Sequence, residues 1–551
     1  MITVHFATLG YQKEFPFGVT LEEIALIENI KLEFPIIGAL VNNKVQDLKY
    51  RVHKPVVINY FDITSQCGIE AYNRSVYFIF SKAVHDLLPG TSLKILHSIS
   101  GGKYCELVNL SKPLTPELVE QIESRMREIT KANIPFIRKE LLTQEALEVF
   151  RKHNMKEKAR LLQEKNSIFT SVYFLGDYVN YYYNILVPST GITNVYKLEL
   201  YETGLLLKLP SRKRPLAVGN TQKLPKLFSV HKTYKKWVAD LGVPYINDIN
   251  RKIQANEIES FLQISEAFHE KLLANIADEI YRRRNVKVVL LSGPSSSGKT
   301  TTCRRLSVQL SILGYRPVQI SVDDFFVERE DTPRDEKGEF NFETIHAIDL
   351  PLFNDTLNRL LKGEEVEIPT FNFATGKKEW HGKKIKLEKR SILVIEGIHC
   401  LNPMLTAQVD DMVKFKMFVS ALIPVSIDAQ NPIPTTDCRL VRRMVRDHAY
   451  RNYSALETIR RWASVREGEL KYIFPFQEQA DVMFNTFLLC ELGVLKKFAI
   501  PLLREVPETE PEYAEAYRLL KFLSFCKSIP EKSIPPGSIL REFVGGSQFK
   551  Y

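Results

Sequence analysis

The chain has 551 residues, 44% apolar and 25% charged, with 75 Lys and Arg against 65 Asp and Glu for a net charge of +10. That length exceeds one ordinary core and corresponds to roughly three or four domains, while the composition excludes extensive disorder. The modest charge permits contact with nucleic acid or nucleotides without demanding it.

No apolar run approaches the roughly 18 residues that suggest a membrane span. The start, MITVHFATLGYQKEF, lacks a basic stretch followed by an apolar one, which argues against a secretory signal. Seven scattered cysteines without a C-x-x-C predict a reducing, cytoplasmic location and no structural zinc.

Residues 1–60 read as short strands around one helix. ITVHFA alternates, GVTLEEIA opens a helix with Thr20 and Glu23 at capping-box spacing, and IIGALVNNKVQDL sets an Asn-Asn turn between strand-like runs. The stretch resembles a TGS domain, a β-grasp module found on threonyl-tRNA synthetases and some GTPases. Over residues 61–225, YFIFSKAVHDLLPG, LHSISGGKYCEL and LGDYVNYYYNILVPSTG resemble the second additional domain of threonyl-tRNA synthetases. That resemblance implies an α+β fold, which in its family edits mischarged tRNA at a metal-capable His/Cys site. Here the site reads as dismantled. His85 matches one His of the family's H-x-x-x-H, but Ser81 stands at the other position, and Tyr182 and Leu186 stand where a Cys and a His belong. One imidazole cannot hold a zinc ion that wants about four ligands. His97 and Cys105 read as a core or groove-lining pair rather than a site. The run Tyr173, Phe174, Tyr178, Tyr181, Tyr182, Tyr183 reads as the buried face of strands, with base stacking as the alternative.

Residues 226–285 are polar with helical spacing, which predicts a connector, and Arg282, Arg283 and Arg284 read as its solvated end. From 286 the pattern becomes strand, loop, helix: VKVVLLS, then GPSSSGKT, then a periodic run that stops at Gly314. This is the context a phosphate cradle requires. In Gly293, Pro294, Ser295, Ser296, Ser297 and Gly298, small residues let backbone amides approach phosphates. Lys299 brings positive charge to the terminal phosphates, the Thr300 hydroxyl suits Mg²⁺, and Thr301 continues the helix start that favours anions.

PVQISVDDFF is expected to deliver Asp323 at the end of a strand beside the cradle, as the base that takes the proton of an attacking hydroxyl, with reach to the metal. Asp324 caps the following turn. SILVIEGIHC resembles a Walker B strand, with Glu396 holding Mg²⁺. In TTDCRLVRRMVRDHAYRNYS, Arg439, Arg442, Arg443 and Arg446 share one helix face. Four guanidinium groups there repel one another unless an anion or acids lie opposite. The stripe reads as a lid that brings arginines onto the transferring phosphate, joined by Arg451, with a solvated basic face as the alternative. Ser454 and Glu457 form a second capping box.

GPSSSGKT, SVDDFF, GEFNFETIHAIDLPLF, VEIPTFNF, VIEGIH and RLVRRMVRD, in this order over about 286–500, resemble the uridine kinase and phosphoribulokinase family. The resemblance implies ATP and Mg²⁺, and phosphorylation of a hydroxyl, typically a nucleoside's ribose 5′-OH. It implies a catalytic role for Asp323, Lys299 and Arg446, a ribose contact for Arg443, and phosphate or lid contacts for Arg446 and Arg451. Glu343 stands where the family has Asp, as the acid that grips the ribose. Phe371 and Gly376 stand where pyrimidine readers carry Tyr and His, so Phe371 and Phe373 offer stacking surfaces without the groups that read a base edge.

The whole chain resembles a bacterial group in which TGS and synthetase-like domains precede a uridine-kinase-like domain, and IPPGSILREFVGGSQF fits that group. The expected architecture is therefore multidomain α/β: a β-grasp unit (1–60), an α+β synthetase-like unit (61–225), a helical connector (226–285), a P-loop unit whose parallel sheet has helices on both faces (286–500), and a C-terminal helix and tail (501–551). The expected activity is an ATP-dependent kinase with a small, nucleoside-like acceptor and no membrane partner. The alternative is an RNA- or tRNA-associated NTPase that uses the N-terminal half. These motifs leave oligomeric state open.

Overall fold

The computed structural model describes every residue except 166, 335–337, 339 and 551, so residue 339 of the quoted stretch 338–353 lies outside the described residues. The first 61 residues form a five-stranded sheet in the order Tyr11–Phe15, Ile2–Phe6, Val56–Phe61, Gly38–Val41, Lys44–Gln46. Side chains alternate between the faces of a strand, so Ile2, Val4 and Phe6 turn inward together and meet Leu21 and Ile24 of the helix Leu21–Ile27. That helix opens on the reciprocal cap: Glu23 N donates to Thr20 Oγ1 at 3.2 Å and Thr20 N donates to Glu23 Oε2 at 2.8 Å. Asn42 and Asn43 both take positive φ, 46° and 57°, as a two-residue hairpin joining Val41 to Lys44 requires.

In the next unit the helices Gln66–Leu87 and Pro116–Lys131 share an apolar core with a four-stranded antiparallel sheet, ordered Lys197–Tyr201, Gly204–Lys208, Gly102–Val108, Ser92–Ile99. A three-stranded sheet runs Tyr178–Asn180, Phe169–Leu175, Ile137–Leu142. Tyr173, Tyr178, Tyr181 and Tyr182 are buried in these cores, so their rings are packing groups and not a platform for bases.

The C-terminal unit is built on five parallel strands in the order Arg316–Ser321, Ser391–Glu396, Val288–Ser292, Lys414–Ser420, Val482–Asn485. Val288–Ser292 is buried throughout, because a central parallel strand is covered on both faces. Val288 and Leu290 point to one face, where the helix Leu350–Leu361 packs through Phe353 and Leu357. Val289 and Leu291 point to the other, against Leu306 and Leu310 of the helix Lys299–Ile312. The same face receives Leu273, Ile276 and Ile280 of the helix Ile258–Arg282, so the end of the polar 226–285 stretch is one of the layers that cover this sheet. Among the described residues no helix is long and apolar enough to cross a membrane.

The units are not beads on a string. One core joins Leu147, Phe150 and Leu162 from the N-terminal half, Ile246 and Ile249 from the connector, and Ile427, Val441, Leu495 and Leu519 from the C-terminal half. The stretch 421–434, between the strand Lys414–Ser420 and the helix Thr435–Arg451, reaches into the N-terminal half. Ile95 N donates to Ala429 O at 2.8 Å, Gln430 Nε2 to Leu93 O at 2.9 Å and Asn431 Nδ2 to Tyr181 O at 3.0 Å. Lys158 and Asp428 pair there at 2.9 Å, with side chains 4% and 1% exposed. Removing one partner of such a pair strands a buried charge. Lys158→Ala should therefore lower unfolding free energy by about 3 kcal/mol, read by urea unfolding with circular dichroism. A loss below about 1 kcal/mol, the range of an exposed pair, would show that the pair does not hold the halves together.

Candidate active site

The cradle is formed where Val288–Ser292 ends and Lys299–Ile312 begins. At Gly293 a Cβ would lie 2.0 Å from Val419 O, so the loop passes its neighbouring strand at a distance only glycine allows. Gly298 caps the helix at φ 82°, in the left-handed region. The loop's carbonyls are tied down from behind: Arg439 Nε donates to Ser295 O at 2.9 Å, Arg442 Nη1 to Ser296 O at 3.4 Å and Thr486 Oγ1 to Ser297 O at 2.6 Å. Three successive carbonyls of the loop are thus held in place by side chains from outside it. Ser296 Oγ and Ser297 Oγ are buried without a hydrogen-bond partner. Orphaned hydroxyls beside a helix start fit a phosphate group. Lys299 Nζ donates to Pro294 O at 3.3 Å. Burial lowers its pKa, and Glu396, Asp323 and Glu542 act against that shift.

Glu396 ends its strand under the cradle, where Thr300 Oγ1 donates to its Oε1 at 3.3 Å and Ser321 Oγ donates to the same atom at 3.4 Å. Burial raises its carboxyl to about 7; Lys299 counters this and Asp323 adds to it. The strand Arg316–Ser321 ends before Asp323, which sits in the tight turn Val322–Phe325 that follows. Burial raises Asp323 above the usual carboxylate range, against the pull of Lys299, Arg451 and Arg446. Two half-buried carboxylates, of which Asp323 raises Glu396, form with the Thr300 hydroxyl a hard oxygen set of the kind that suits Mg²⁺.

Glu343 lies within the same field. Burial raises its carboxyl, Arg443 and Lys299 lower it, and Asp323 raises it. It is seated by Gly468 of the helix Ala455–Tyr472, where a Cβ would come within 2.5 Å of Glu343 Cβ. Phe371 is buried among Phe326 and Phe373, whereas Phe373 is 56% exposed and has the Arg451 guanidinium 5.9 Å from its ring centroid. The structure therefore offers Phe373 as the accessible ring and places Phe371 behind it, which corrects the expectation of two stacking surfaces.

The arginine stripe divides. Arg439 and Arg442 are fully buried and paired, Arg439 with Glu469 and Arg442 with Glu491 at 2.6 Å. They brace the cradle from behind, which corrects their reading as lid groups. Ser295 N also donates to Glu469 Oε1 at 3.1 Å. Arg443, Arg446 and Arg451 instead lean on Asp447 at 3.1, 2.7 and 3.7 Å, and Arg443 Nη1 donates to Ser295 Oγ at 2.9 Å. The helix Ala455–Tyr472 starts on the capping box of Ser454 and Glu457. Glu469, Glu491, Thr486 and Asp447 were not singled out in the sequence. The signal was the requirement that acids oppose four clustered guanidinium groups, which says that partners exist without saying where.

In the N-terminal half the editing-site positions are filled. Ser81 Oγ donates to Tyr77 O at 2.8 Å, Tyr182 and Leu186 are buried, and His85 lies against Tyr178 with ring centroids 4.8 Å apart. His97 stacks on His231 at 3.5 Å and Cys105 is buried. Among the described residues no cluster of three or more His, Cys, Asp or Glu is arranged to hold a metal ion.

Residues 288–489 match the Phosphoribulokinase / Uridine kinase family. Threonine–tRNA ligases from Desulforamulus reducens and Clostridium kluyveri are 31% and 32% identical over 190 and 191 residues, which is 34% of this chain and 30% of each ligase. The chain thus spans about a third of the length of those relatives. A solved structure described as "a Possible Uridine Kinase" from Bacillus stearothermophilus is 20% identical over 36% of this chain and 89% of that one, with a TM-score of 0.25. The chain carries a phosphoribulokinase/uridine kinase family domain, fused behind an N-terminal region similar to threonine–tRNA ligases.

Proposed function

We propose that this chain transfers the γ-phosphate of ATP to a hydroxyl of a small, nucleoside-like molecule. The observation that carries the reading is the convergence of half-buried Lys299, Asp323, Glu343 and Arg446 in one electrostatic field beside a braced phosphate loop with orphaned hydroxyls. A pure nucleotide switch needs the loop but no carboxylate that activates an acceptor.

In this reading backbone amides of the loop from Gly293 to Gly298, with the Ser296 and Ser297 hydroxyls, seat the triphosphate. Lys299, Arg446 and Arg451 draw charge off its terminal group. Thr300, Asp323 and Glu396 would hold Mg²⁺, which would neutralise the transferring phosphate. Asp323 accepts the proton of the attacking hydroxyl, and its raised pKa makes it a better proton acceptor than an exposed Asp. Glu343 and Arg443 grip neighbouring acceptor hydroxyls. The work is mostly positioning and charge stabilisation. The likeness to threonine–tRNA ligases supports a second reading, in which the acceptor or regulator is an RNA bound by the N-terminal half.

ADP release measured with a panel of nucleosides, and then with tRNA, separates these readings. Turnover with a free nucleoside, indifferent to RNA, is expected; turnover only with RNA would replace the first reading by the second. Because the accessible ring surface carries no base-reading groups, kcat/KM should differ less than about 100-fold between purine and pyrimidine nucleosides, and a larger ratio would expose an unseen polar contact. Asp323→Asn should cut transfer by about 10²–10⁴-fold with ATP binding retained, whereas Lys299→Ala should weaken both. A full-rate Asp323→Asn enzyme removes the proposed base. Glu343→Gln should raise the acceptor's KM about tenfold or more without changing ATP affinity, since it removes a charge-assisted hydrogen bond. An altered ATP affinity would place it on the nucleotide side.

A further inference from the structure

The start of the helix that follows the cradle is covered in this structure. The segment Ser538–Val544 folds over the start of the helix Lys299–Ile312, with Ser538, Ile539, Leu540 and Phe543 buried. Ile539 interlocks with the loop: a Cβ at Gly298 would lie 2.7 Å from Ile539 Cδ1. Phe543 packs under the Arg442 guanidinium at 5.0 Å, and Arg541 ties the segment to itself through Ile534 O at 2.6 Å and Gly545 O at 3.2 Å. Glu542 comes from this anchored backbone. Its Oε2 accepts from Thr301 Oγ1 at 2.6 Å and from Thr301 N at 3.2 Å.

An amide and a hydroxyl on the first turn of a helix that follows a phosphate loop are donors suited to a phosphate oxygen. A carboxylate is the side chain that best imitates one. The helix has no side-chain cap of its own, since Gly298 stands at that position, so the donor is satisfied from 241 residues away. Electrostatically Glu542 faces both signs: the cations Lys299 and Arg442 and the acid Glu396. It adds a third anion to Glu396 and Asp323, and it lies within the fields of both Lys299 and Glu396. Its backbone is locked, but its side chain has three rotatable bonds.

We propose that Glu542 is an intrasteric gate: its carboxylate occupies a phosphate position on Thr301 and swings away when a nucleotide phosphate is seated there. The proposal rests on the kinase reading and deepens it. The buried part of the segment stays in place as a wall of the nucleotide pocket, and only the carboxylate competes with the ligand. Affinity for phosphate-bearing nucleotides is then set below what the cradle alone would give.

The test is equilibrium binding of a fluorescent ATP analogue to the full chain, with AMP, ADP and adenosine as competitors, using wild type, Glu542→Gln and Glu542→Ala. Removing one like-charge contact should tighten ATP, ADP and AMP by about tenfold or more and leave adenosine unchanged, with both variants folded by thermal melting. Equal or weaker nucleotide binding in both variants, or an equal gain with adenosine, overturns the gate, while wild-type binding leaves the nucleotide site on which the kinase reading depends intact. Failure of every form to bind nucleotide overturns both.

Discussion

Two buried arginines on one helix hold the active centre in shape. Arg439 and Arg442 each satisfy a carboxylate and a cradle carbonyl at once. A guanidinium is suited to this because its five donors lie in a fixed fork. Buried ion pairs are weak evidence for stability, since desolvation offsets much of the attraction. What they supply here is direction. They fix where the Ser295 and Ser296 carbonyls of the phosphate loop point. The Glu469 carboxylate, shared between Arg439 and the Ser295 amide, couples the loop to the helix that also seats Glu343.

That arrangement links the two halves of the chain. The helix carrying Arg439 and Arg442 begins directly after the stretch that Lys158, Leu93 and Tyr181 grip. The synthetase-like unit therefore adjoins the element that orients the phosphate loop. Within that unit Ser81, Tyr182 and Leu186 are buried packing groups.

Much of this was legible in the sequence, for local reasons. The cradle, the Asn-Asn hairpin and both capping boxes are written in contiguous residues whose backbone demands are specific. The parallel sheet followed from short, continuously apolar runs. What escaped were pairings over long separations. Glu469 and Glu491 lie 30 and 49 residues from their arginines, and Glu542 lies 241 residues from Thr301. No periodicity connects such residues. The split of the arginine stripe was hidden for the same reason: helical spacing puts four side chains on one face, but what packs opposite each turn decides which stay buried. Phe371 and Phe373, two residues apart, look alike in sequence, but the strand Thr370–Asn372 ends between them, so Phe371 is buried on the strand while Phe373 sits in the turn beyond it.

Asp447, nearly sealed from solvent, lies beneath Arg443, Arg446 and Arg451. On their other side Arg443 feels Glu343 and Arg451 feels Asp323. The three guanidinium groups are thus strung between one acid at their back and two in front, and a change of charge at either acid in front alters the pull that the one behind must balance.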